Sequence, residues 1–291
     1  MQEINSILVP VDFSERTSGA IEHAAAIASR AGAKLVFLHV VPAPPKEYAS
    51  FWVDDHSGSE WPSATETQAY CAEQLQDLVR RLASEQDTEI MVLSGDASET
   101  ICQVARDRKI DLIIMPTHSH GTYRRFLLGS NTAKVLHDAR CPVLTGAHVE
   151  EGAVRGPEPY RHVACCVALD EESLSILSWA HGFSKLYGAQ LTVIHAVPDF
   201  DKESAKGSDN YALVLRKSAE KQVDKLLQQI GGEAAVVIET GEIDKKAYRL
   251  LKRSDIDLLV IGRSREGTHP GRLRNHAYTL IRSAPCPVVS V

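Results

Sequence analysis

The chain has 291 residues, 44% of them hydrophobic and 24% charged, and carries a formal net charge of −6 at pH 7. Those proportions suit about two globular domains of roughly 100 to 200 residues and exclude disordered and fibrous classes, while the acidic balance gives no support to nucleic-acid binding. No apolar run approaches the roughly 20 residues of a membrane span, and MQEINS lacks the basic stretch and apolar run of a secretion signal, so a cytoplasmic protein is expected.

The apolar run Ile7 to Val11 predicts a buried strand, followed by Ser14 as a candidate N-cap and by Ala20, Ile21, Ala24 and Ala28 at helical spacing, ending near Gly32. Leu35 to Val41, Ile90 to Leu93 and Leu112 to Met115 predict three more strands, with helices near Thr65 to Leu82 and Glu99 to Arg108 between them. A segment from Val149 to Arg161, rich in Gly, Pro and Glu, reads as a linker between domains at 1–148 and 162–291. Beyond it, Ile176, Trp179, Ala180 and Phe183 predict a helix closed by Gly188, and Val223, Leu226, Leu227 and Ile230 another closed by Gly231 and Gly232. Alternating β and α signals with uninterrupted apolar strands predict an α/β fold whose parallel sheet is covered on both faces.

The second half restates the first. ILVPVD from Ile7 to Asp12 returns as VACCVALD from Val163 to Asp170, LVFLHVVP from Leu35 as LTVIHAVP from Leu191, and IDLIIMP from Ile110 as IDLLVIG from Ile256. Each half closes on Cys-Pro-Val, at Cys141 and Cys286. This is a tandem duplication, and its matching pairs Asp12 with Asp170.

Ligands of such sheets bind beyond the carboxyl ends of the strands. The residues that fall there are Asp12 and Asp170, Val40 and Val41, Ala196 and Val197, and the loops after Met115 and Ile261. Asp12 taken alone also fits a helix-capping carboxylate. His39 and His195 occupy equivalent strand positions and are expected to bond backbone through a ring nitrogen. His118 and His120 are expected to be exposed loop residues, with no metal site. Cys165 and Cys166 should point to opposite faces of a strand, and the six cysteines, with no C-x-x-C pair, should be reduced thiols. Neither G-x-G-x-x-G nor a Walker A sequence occurs, and no triad can be assembled, so no enzyme activity is expected.

Together ILVPVDFSE, LHVVP, SGDASETI, DLIIMPTHSHG, LLGSNTAKVL and CPVL resemble a universal stress protein domain, and the second copy extends that resemblance over the chain. The resemblance implies two tandem Rossmann-like domains, each a five-stranded parallel sheet of order 3-2-1-4-5. It further implies an intrachain pseudo-dimer paired through the last strands, here Pro142 to Thr145 and Pro287 to Val291. The family's ATP-binding members carry G-x2-G-x9-G-[S/T] after strand four. In the first copy that pattern falls on Pro116, Ser119, Gly129 and Ser130, so two of three glycines are replaced and Pro116 offers no amide.

The site residues the resemblance implies are Pro10, Asp12, Val40, Met115, Thr117, Ser119, Gly129, Ser130, Asn131 and Thr132. Asp12 would meet a ribose and Val40 an adenine, with ATP or another phosphorylated small molecule as ligand. In the second copy only Gly262 stays in place. Arg265, Arg274 and Asn275 take the other positions, and Arg263, Arg265, Arg272 and Arg274 form either a solvated basic loop or a replacement anion site. The implied role is a non-enzymatic regulator or protective protein of the stress response. The alternatives are a slow ATPase and an ATP-independent interaction protein, in either case with unknown protein partners or a further homodimer. An insertion from Pro44 to Pro62, with Tyr48, Phe51, Trp52 and Trp61, is expected to pack against the domain.

Overall fold

Period-two alternation along the strands builds a sheet with two apolar faces. Ile7 and Val9 enter one buried cluster while Leu8, between them, enters the other. Cys165 and Cys166 divide in the same way, as their adjacent strand positions predict. The computed structural model describes residues 3–42, 64–83, 86–117, 128–146, 160–199, 208–253, 255–263 and 275–291. The expected linker, apart from its last two residues, and the whole insertion from Pro44 to Pro62 lie outside them, as do His118 and His120.

In chain order the first half runs β1 (Ser6–Val11), α1 (Glu15–Ala31), β2 (Lys34–Pro42), α2 (Ala64–Leu82), β3 (Thr88–Gly95), α3 (Ala97–Asp107), β4 (Leu112–Ile114), α4 (Ser130–Asp138) and β5 (Val143–Thr145). The second runs β6 (His162–Cys166), α5 (Ser173–Tyr187), β7 (Gln190–Val197), α6 (Ser208–Ile230), β8 (Ala235–Thr240), α7 (Ile243–Arg253), β9 (Leu258–Ile261), α8 (Asn275–Ser283) and β10 (Val288–Ser290). The strands join into one ten-stranded sheet of order β3-β2-β1-β4-β5-β10-β9-β6-β7-β8, so each half has the order 3-2-1-4-5. Pairing within each half is parallel, and β5 meets β10 antiparallel, with Val289 opposite Leu144. Each expected edge strand is therefore covered by the other.

The repeated Ile-Asp-Leu has a structural reason. Asp111 Oδ2 accepts the amides of Asn5 and Ser6 at 2.9 and 3.0 Å, and Asp257 Oδ2 those of Arg161 and His162 at 2.7 and 3.0 Å. Each aspartate thus ties the entry of its half's first strand to the entry of its fourth. Helix α3 starts two residues before the predicted Glu99 because Asp96 caps it, its Oδ1 accepting the Glu99 amide at 3.0 Å.

The two apolar clusters each run through both halves. At the seam Tyr160, at the end of the expected linker, is buried against Phe183 and Tyr187 with ring centroids 5.0 Å away, and its hydroxyl shares a hydrogen bond with buried His23 of α1. Arg30 Nε donates to the Leu186 carbonyl across the same seam at 2.9 Å. Gly146, just after β5, sits at φ +154, and a Cβ there would stand 3.2 Å from Pro287 Cα, so the crossing of the halves is as tight as backbone permits.

Candidate functional site

With strand order 3-2-1-4-5 the chain leaves β1 in opposite directions along the sheet, and a crevice opens beyond the ends of β1 and β4. In the first half it holds a cavity of about 310 Å³. Eight of the ten sequence-predicted residues line it: Pro10, Asp12, Val40, Met115, Gly129, Ser130, Asn131 and Thr132. Thr117 is buried beside it, its carbonyl accepting the Gly129 amide at 2.8 Å. Ser119 lies outside the described residues.

The floor is built by backbone demands. Phe13 turns the chain after β1 at φ 58, and its ring rests 4.5 Å from that of His39. The ring nitrogen Nδ1 of His39 donates to the Val11 carbonyl at 2.7 Å, and His195 repeats the bond to Val167 at 2.9 Å, as expected of structural histidines. A carbonyl accepts only, so Nδ1 holds the proton in both. Ser14 occupies the N-cap position of α1, but its side chain makes no capping bond. Asp12 organises that turn instead, Oδ1 accepting the Ser14 amide at 3.0 Å and the Thr17 hydroxyl at 2.6 Å. The capping role weighed for Asp12 is thus present, and Oδ2 takes part in neither bond.

The opposite wall is the start of α4. Gly129 is its N-cap, the Thr132 hydroxyl donates to the Pro116 carbonyl at 3.0 Å, and no acidic residue stands in the first turn. First-turn amides have no intrahelical acceptor, and with the helix dipole they make the Gly129 to Thr132 end a natural anion seat. Lys134, one turn on, lies 3.6 Å from Asp96. The Ser98 hydroxyl and the Glu99 amide, with smaller help from Lys134, hold the Asp96 carboxyl down at about 2.

The second half corrects the matching of Asp12 with Asp170. Ile7 faces Leu35 and Leu112 in the sheet, and Val163 faces Leu191 and Leu258. Counting on without a gap places Leu169, at φ 62, on Phe13 and Gly188 on Gly32. Asp12 therefore falls on Ala168, and Asp170 falls on Ser14. The Asp170 carboxylate accepts the Ser173 hydroxyl at 2.9 Å, closing the turn before α5. The extra residues seemed to align because both halves carry an aspartate near the turn, while the left-handed residue that sets the register has no sequence signature.

The retained Gly262 also has another cause. A Cβ on it would stand 2.4 Å from Ile176 Cδ1. The same count places Ile176 on Ala20, and counting on from the paired Leu112 and Leu258 places Gly262 on Pro116, so the large residue stands on the helix in one half and after the strand in the other. The second crevice is about 250 Å³ and is lined by Ile176, Ile243, Ile261, Ala277 and Leu280 together with Asp170, Glu172 and His195.

Arg263 departs from the arginine cluster expected of this loop. It is 5% exposed, and its guanidinium donates to the Leu136 carbonyl at 3.2 Å and the Cys141 carbonyl at 2.7 Å, both in the first half. Arg265, Arg272 and Arg274 lie outside the described residues. Nothing in the local pattern announces the contact, since its acceptors are backbone atoms of the other repeat. Burial pushes the thiols of Cys141 up to about 11 and of Cys166 and Cys286 up to about 12, so these are poor nucleophiles.

Fold and crevices define a doubly wound α/β protein in tandem, with a cleft at the carboxyl ends of the strands in each half. The chain belongs to the universal stress protein family, whose profile matches residues 3–145 and again 159–291. Universal stress protein A homolog 1 of Coxiella burnetii is 32% identical over 139 residues, 47% of this chain and 92% of that protein. Universal stress protein MJ0531 of Methanocaldococcus jannaschii is 29% identical over 140 residues, 47% of this chain and 79% of that one. Each alignment has the length of one repeat. A solved universal stress protein from Archaeoglobus fulgidus shares the fold across both repeats, with a TM-score of 0.71 at 19% identity, covering 99% of this chain and 98% of that one.

Proposed function

We propose that the first half binds ATP or another phosphorylated small molecule in the cleft between β1 and β4, and that the protein acts in the stress response as a cytoplasmic, non-enzymatic regulator. The observation that carries this reading is the seat at α4: the N-cap Gly129 and the residues Ser130 to Thr132 line the cavity with first-turn amides, and the helix has no acidic residue in its first turn. Asp12 stands on the β1 side with Oδ2 outside its turn bonds and fits a ribose hydroxyl, while Leu38, Val40, Ile101 and Met115 offer an apolar seat to a base. A volume of about 310 Å³ meets the lower end of the range of small-molecule cavities, roughly 300 to 1,000 Å³. Pro116 supplies no amide, so affinity is lower than a full glycine loop would give. The second half lacks an aspartate at the Asp12 position and turns its first loop arginine away from its own cleft.

The non-enzymatic reading is supported by how some of the cleft's polar groups are engaged. Nδ1 of His39 is held by Val11, Asp12 Oδ1 by its turn, and no base-and-nucleophile pair stands at the cavity among the described residues. Calorimetric titration of nucleotide-stripped protein with MgATP tests the reading. The parent should bind one equivalent per chain and release no phosphate at saturation. Gly129→Arg, which copies the residue aligned with it in the second half, should abolish binding. A parent that binds nothing defeats the proposal, and steady phosphate release would make the protein a slow ATPase.

A further inference from the structure

Arg263 stands just past the end of β9, after Gly262, at the position that Thr117 holds beside the first cleft. Its amide donates to the Val291 carbonyl at 2.9 Å, and the Val291 amide donates to Ile261 at 2.9 Å, so the residue springs from a fixed strand end. Its guanidinium crosses the seam and grips the far end of α4, donating to Leu136 in the last turn and to Cys141 in the connection to β5. A cation there opposes the negative end of the helix dipole and occupies a carbonyl that the helix leaves unbonded.

The other end of this helix is the anion seat. Helix α4 has nine residues, a rod of about 13 Å, so a tilt at Leu136 is carried to Gly129 and Ser130. We propose that Arg263 is a positioning residue through which the second repeat holds α4 and aims its first-turn amides at the ligand's phosphates. The second repeat is then a brace for the first: the loop that lines a cleft in one half serves, in the other, as the clamp on its neighbour's helix. The ligand side of this inference rests on the nucleotide reading of the first cleft, and the mechanical side does not.

The test uses the full chain with Arg263→Met, which keeps length and loses every donor, and Arg263→Lys, which keeps the charge. Each is titrated with MgATP and with adenosine, and amide hydrogen exchange is followed in the segment 130–138. Arg263→Met should weaken ATP about five- to tenfold, the scale of a modest coupling between sites. It should leave adenosine unchanged and speed exchange in α4, and Arg263→Lys should recover part of both effects. Unchanged exchange in α4 overturns the proposal, and so does an equal loss for ATP and adenosine, which marks general weakening. A parent that binds neither ligand defeats the nucleotide reading alone, and the exchange comparison then decides the role of Arg263. Should the Met variant fail to fold, the Lys variant carries the same comparisons.

Discussion

His23 of α1 is buried at the seam between the repeats. Burial against Tyr160 pushes it down to about 4 from an ordinary 6.5. Above pH 6.5 neither folded nor unfolded chain holds the proton, so His23 adds no pH dependence. Between 6.5 and 4 only the unfolded chain binds it, and stability drains by about 3 kcal/mol before levelling off. In denaturant titrations at pH 6.5 and 4.5 the parent should therefore lose more stability than His23→Gln, and parallel losses would contradict this. At this scale the sequence was an uneven guide. The paired histidines were legible because both repeats carry them on the same strand position, and eight cleft residues because the family resemblance implied them. The roles of Ala168, Tyr160 and Arg263 were not, since they depend on a left-handed turn residue and on contacts between repeats.

Between elements, the exchange of small and large partners at the ends of α5 and β9 explains a glycine that looked like a remnant of a phosphate loop. If Gly262 is kept for Ile176, then Gly262→Ala should cost about 1 to 3 kcal/mol by overpacking, and Ile176→Ala about 2 to 5 by leaving a cavity. The double variant should cost clearly less than the sum. Additive losses in thermal or denaturant unfolding would mean that the two side chains do not share the space. Strands, helices and their order were legible from apolar runs and glycine stops, because those patterns are local. The entry of α1 was legible at the N-cap Ser14, with Asp12, two residues earlier, making the bonds that close the turn. The covered edges β5 and β10 followed from the family resemblance and from the physical need of an edge for a partner.

For the molecule as a whole, two equal-looking repeats have divided the work. One keeps an aspartate and a helix-tip anion seat at its cleft, and the other has lost that aspartate and reaches across to steady the first. One sheet and two cores shared by both halves make that division mechanical as well as chemical. The most direct measurement is amide hydrogen exchange of the whole protein with and without saturating MgATP, followed peptide by peptide. The account predicts protection at the start of α4 and at the end of β1, around Asp12 to Thr17, with the corresponding second-half segments at Ala168 to Ser173 and the start of α8 unchanged. Protection appearing at those second-half segments, or none in the first half, would contradict it.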